Sequence, residues 1–92
     1  MASKVYVVMG STGEYSANCE WPVFAFRAEA SAQALVIAAE TWLREQGIHD
    51  DNMTRSLSYA DRDALRNPHD PYMQSPDYTG TRYFIMEVDF DA

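Results

Sequence analysis

One cysteine among 92 residues, Cys19, leaves no internal disulfide to form and fits a reducing compartment. Long apolar runs are missing as well. Stretches such as Val5–Met9 reach five residues, against the roughly 20 that a membrane-spanning helix needs. The N-terminal "MASKVYVVMGS" opens as a strand and lacks the apolar stretch of a signal peptide. The expected setting is therefore cytoplasmic, with no membrane association. Basic residues are scarce, seven against fourteen acidic ones, for a net charge of −7. That balance repels phosphate and argues against autonomous nucleic-acid binding. It would instead steer the chain toward a basic partner, although solubility alone also explains an acidic surface.

What is present suits one folded domain spanning 1–92. Hydrophobic residues make up 47% and aromatics 13%, too rich for a disordered chain. Lys4–Met9 is β-branched and aromatic, and predicts a first strand that Gly10, Ser11, Thr12 and Gly13 then break. "EWPVFAFR" (20–27) predicts a second, with Phe24 and Phe26 on one face and Trp21, Val23 and Ala25 on the other. Pro22 cannot donate to a ladder, which places this strand at a sheet edge. Ser31 as N-cap and Gly47 as stop bracket a helix. Its apolar stripe is Ala32, Leu35, Val36, Ala39, Trp42 and Leu43, with Gln33, Ile37, Glu40 and Arg44 outward. Ser58, with Asp61 three residues on, predicts a short capped helix within 58–66. "NPHDPYMQSPDYTG" follows, with three prolines in ten residues, and reads as an ordered loop. Thr81–Phe90 alternates, setting Phe84, Met86, Val88 and Phe90 against Tyr83, Ile85, Glu87 and Asp89.

The expected fold is α+β, a three-stranded antiparallel sheet of order 2-1-3 with the helix on one face. The helix is expected to cover the face bearing Phe24, Phe84 and Met86. Trp21, Val23, Tyr83 and Ile85 would then need another cover: the long loop, a partner or a second copy.

Few places could carry catalysis. "GSTGEYSANCEW" (10–21) has glycines, but they lead into a strand rather than a helix N-terminus, and Glu14 and Glu20 would repel phosphate. It reads as a hairpin connection. Cys19 with His49 or His69 has no third orienting group. "HDD" (49–51) and "HD" (69–70) lack the spacing of a metal site. No catalytic residue, metal or cofactor is expected, and the chain does not read as an enzyme. Tyrosines interleaved with carboxylates remain, together with arginines 27, 55, 62, 66 and 82 as a local basic patch. Amphipathic anchors among charges are what protein-binding surfaces use; equally, Tyr72 and Tyr78 could pin the loop to the domain. The candidate contact residues are Glu14, Tyr15, Asp70, Tyr72, Asp77, Tyr78 and Arg82.

"KVYVVMGSTGEYS…EWPVFAF" with "NPHDPYMQSPDYTGTRYFIMEVDF" resembles a family of small phage and prophage proteins. Its shared pattern is VYVV-G-TGEYS…EW, then NP-DP-M…DYTGT-Y and a closing alternating strand. The likeness covers both ends and is weaker in the helix. Ala17 and Asn18 stand where several relatives carry a polar or charged pair. A chain of this size, acidity and phage-like character also looks like an anti-CRISPR inhibitor. That resemblance implies a cofactor-free protein of the host cytoplasm that binds a type I RNA-guided surveillance complex, basic and RNA-containing, and sterically blocks target DNA. The alternative is a phage accessory or assembly protein that self-associates, for instance as a homodimer, or binds another phage protein.

Overall fold

The computed structural model describes residues 2–13, 18–48, 58–76 and 80–91. Its elements run β1 (Ala2–Thr12), β2 (Cys19–Phe26), α1 (Glu29–Gln46), α2 (Tyr59–Ala64) and β3 (Thr81–Asp91). The three strands form one antiparallel sheet ordered β2-β1-β3, with α1 on one face, as the alternation and the proline at the edge predict. Among the described residues no helix is long and apolar enough to cross a membrane.

Helix α1 buries the expected stripe: Ala32, Ala39 and Leu43 fully, with Leu35, Val36 and Trp42 packed beside them. It starts one turn earlier than Ser31 suggests. Ala28 holds the extended N-cap conformation without a side-chain cap, and Glu29 in the first turn faces the positive end of the helix dipole. At the other end Gly47 takes φ 72°, donating to the Arg44 carbonyl while Ile48 donates to that of Leu43. This is a Schellman termination, and Ile48, fully buried, supplies its apolar contact. In α2, the Ser58 hydroxyl accepts from the Asp61 backbone N–H at 3.1 Å, the cap its sequence predicts.

Two expectations for the sheet fail, and one residue accounts for much of the difference. Strand β1 does not stop at Met9; it pairs through Gly10, Ser11 and Thr12 with both neighbours. Gly10 is flanked by Trp21 on β2 and Tyr83 on β3. A side chain there would stand 2.4 Å from the Trp21 ring. The glycine therefore marks a close approach within a strand, not a break in it.

The second failure concerns which face is covered. Helix α1 lies on Val8, Trp21, Val23, Tyr83 and Ile85, not on Phe84 and Met86. A bulge between Val8 and Met9 explains part of the inversion. Val8 pairs with Phe24 and Met9 with Pro22, so Val23 has no opposite number. One extra residue shifts the alternation of β2 by one. Phe24 and Phe26 consequently share the helix side of the sheet with Trp21 and Val23, and their rings sit 4.8 Å apart.

The opposite face is left open among the described residues. Val5, Val7 and Met9 of β1 and Phe84 of β3 are half-buried, while Met86, Val88 and Phe90 are exposed. The acidic side chains of β3, Glu87, Asp89 and Asp91, fall on the helix side, beyond the part that α1 and the loop cover. There Lys4 pairs with Glu87 at 2.6 Å, and that hydrogen bond and charge raise the ammonium pKa. Gly10→Ala is expected to force the indole off its site and cost about 2 kcal/mol. The readout is a lower urea midpoint at unchanged slope; a wild-type midpoint would contradict the close packing.

Candidate functional site: the Asp70 anchor and the β2-edge cleft

The loop after α2 is built from a repeated local device. In "NPHDPYM" (67–73), Asn67 and Asp70 each precede a proline that presets the following turn. The Asn67 side-chain oxygen accepts from the His69 N–H at 2.9 Å, and that of Asp70 accepts from the Tyr72 N–H at 2.9 Å. Backbone bonds close both turns, from the Asp70 N–H to the Asn67 carbonyl and from the Met73 N–H to the Asp70 carbonyl. Met73 then enters the core.

Asp70 was expected at a contact surface, and the structure corrects that. Its side chain is 1% exposed. Its second oxygen accepts from Trp21 Nε1 at 2.8 Å and from the Tyr83 hydroxyl at 2.7 Å. Asn67 donates to the Tyr83 oxygen at 3.4 Å and to the Ala39 carbonyl of α1 at 3.2 Å. One connected network thus joins β2, β3, α1 and the loop. A buried carboxylate is costly unless its acceptor sites are filled, and here three donors converge on it. Trp21 and Tyr83, expected on the face away from the helix, are core residues for the same reason. Glu40, expected outward, turns in and accepts from the Tyr83 N–H at 2.9 Å. It thereby satisfies an edge-strand donor of β3.

The consequence for the surface lies one step along the chain. Tyr72 has its backbone fixed by Asp70 and by Gln74, whose side chain donates to its carbonyl, yet its ring is 58% exposed. It stands at the free β2 edge beside Phe24, equally exposed. Two apolar clefts open there. One, about 470 Å³, runs along Trp21, Pro22 and Phe24 to Tyr72 and Gln74. The other, about 350 Å³, lies between Phe26, Leu35, His69, Pro71 and Tyr72. Pro22 and the bulge interrupt the edge ladder, so a ligand would be gripped by side chains more than by strand addition.

The remaining expected contact residues scatter. Arg82 is exposed at the far end of the open face, opposite Ser11. Glu14, Tyr15, Asp77 and Tyr78 lie outside the described residues, as do His49, Asp50, Asp51 and Arg55. The arginine patch does not assemble among the described residues. Arg62 is buried, Arg66 donates to the carbonyls of Asp63 and Leu65, and Arg27 lies over the Phe90 ring at 5.9 Å. Among the described residues no three His, Cys, Asp or Glu side chains gather as a metal site would require. Phe24, which the sequence places under the helix, is on that side but stands exposed at the cleft. The bulge sets it on the same side as Trp21.

Comparison with protein-family models, curated proteins and solved structures found no match.

Asp70→Ala is expected to strand the Trp21 and Tyr83 donors and cost about 3 kcal/mol, a large share of a small domain's stability. Asp70→Asn keeps an acceptor and should cost less, about 1–2 kcal/mol. Equal losses measured by urea unfolding would contradict the network. Burial, reinforced by Asp70, raises the Tyr83 pKa far above its usual 10.0. The neutral phenol is therefore the folded form. Its contribution is complete below the unfolded value near pH 10 and falls as pH rises above it. Stability should drop above that point with a slope that Tyr83→Phe reduces; an unchanged slope would contradict the assignment.

Proposed function

We propose that the chain is a non-catalytic binding protein whose contact surface centres on the β2-edge cleft, with Tyr72 and Phe24 as its anchors. The observation that carries this is the exposed Tyr72 ring on a backbone locked by the buried Asp70. An aromatic anchor presented on a rigid turn binds at low entropic cost. The net charge of −7 favours a basic partner and speeds encounter with it.

The resemblance to small phage proteins and to anti-CRISPR inhibitors supplies the partner class. In this reading the chain acts in the host cytoplasm, needs no cofactor, and occludes the DNA-binding channel of a type I RNA-guided complex. Glu14, Tyr15, Asp77 and Tyr78 are further contact residues of this reading, and Arg82, on the open face, belongs to the second. The open face of the sheet favours a second reading, a phage accessory protein that self-associates or binds another phage chain.

A tagged pull-down from a lysate containing type I complexes, at two salt concentrations, tests the first reading. Recovery of the complex, weakened by salt, is the expected result, with Tyr72→Ala reducing recovery about tenfold. That variant should keep a wild-type melting temperature, because the ring is mostly solvated. Full recovery by Tyr72→Ala would move the contact elsewhere, and no recovery of the complex by the wild type would overturn the partner.

A further inference from the structure

The β3 residues Phe84, Met86, Val88 and Phe90 make the longest apolar alternation in the sheet, yet they face away from the helix. The face they share with β1 runs the length of the β1–β3 ladder, from Ala2↔Asp91 to Thr12↔Thr81. Eleven paired residues and three strands give a face roughly 35 Å long and about 450 Å² in projection. Met86, Val88 and Phe90 are its exposed core, a patch of the size that often serves as an interaction site. The radius of gyration, 14.1 Å, exceeds the about 12 Å expected of a 92-residue globule.

Charge decides what fits there. The chain is strongly acidic, but this face is not, because Glu87, Asp89 and Asp91 point the other way. Among the described residues its charges sit at the two ends. Glu20 and Arg82 flank Ser11 at one end. At the other, Arg27 reaches over Phe90. A basic partner gains nothing on such a surface, whereas its two ends are complementary to each other.

We propose that the open face is a homodimer interface in which two sheets stack antiparallel about a two-fold axis crossing Val7 and Met86. That axis sets Val7 and Met86 over their own copies and superposes the apolar middle of each face. It brings Glu20 toward Arg27 of the second copy and Arg82 toward the second copy's Phe90, each contact occurring twice. An isologous contact requires this kind of self-complementarity. The alternative two-fold, along β1, would bring the two Arg27 side chains together. The cleft between Phe26, Leu35, His69, Pro71 and Tyr72 stays outside the interface, so the dimer presents two copies of it, whereas the larger cleft reaches Val7 and Ala25 at the interface margin.

Light scattering after size exclusion, from low to high micromolar concentration, should return twice the chain mass. Met86→Lys should raise the dimer dissociation constant about tenfold or more with an unchanged circular dichroism spectrum. Glu20→Arg and Arg27→Glu, both at exposed positions, should each raise it about fivefold, and the double variant should restore it. A monomer at about 200 µM overturns the proposal and leaves the face to a different chain. A dimer indifferent to Met86→Lys overturns the face. A double variant no better than the singles overturns the antiparallel arrangement. Capture through Tyr72 is read independently with Tyr72→Ala, so the two proposals fail separately.

Discussion

The carboxylate of Asp70 is the constraint on which the rest of this structure depends. It sits in the core with two aromatic donors on one oxygen and the Tyr72 N–H on the other. Each donor belongs to a different segment: β2, β3 and the turn after Pro71. Removing any one leaves a buried polar group without its partner, which is why such a network holds or fails as a unit. Gly10 makes the arrangement feasible. With no side chain of its own, it lets the Trp21 indole lie across the central strand. The helix closes over the top and contributes the Ala39 carbonyl to the same network.

This anchoring divides the surface into regions with different physical character. On the helix side the loop is locked through Asn67, Asp70 and Met73, and Tyr72 is left projecting at the β2 edge. On the other side no helix or loop among the described residues covers the β3 row Met86, Val88 and Phe90, and Arg27 alone reaches over Phe90. A small domain does not retain an apolar row of that length by chance of composition, because the alternation that makes it is as regular as the one inside the core. The two regions also differ in charge. Among the described residues, Glu87, Asp89 and Asp91 gather on the helix side, where Lys4 bonds Glu87, and the open face has isolated charges at its ends.

Local signals in the sequence were legible. The stripe on α1, the Gly47 termination, the Ser58 cap and the strand order all follow from periodicity, turn chemistry and one edge proline. Two things were not. Alternation along β3 offers two apolar faces and does not say which a helix covers; the richer one, with Phe84 and Met86, turned out open. The bulge at Val23 is not located by "WPVFAF", where Pro22 fits a sheet edge and a bulge alike, and it sets Phe24 and Trp21 on one side. Asp70 was illegible for a different reason. Its partners lie 49 and 13 residues away in the chain, and an aspartate between two prolines reads as a solvated turn. The turn is there; the burial is a tertiary fact.

Hydrogen exchange at the Trp21 indole N–H, followed by NMR, tests the anchor most directly. With Asp70 as its buried acceptor, that proton should exchange only when the whole domain opens, as slowly as the amides at the centre of β1. Exchange within the dead time of the experiment, while those amides stay protected, would mean that the loop is not fastened to the sheet. The fixed turn that presents Tyr72 would then be lost with it.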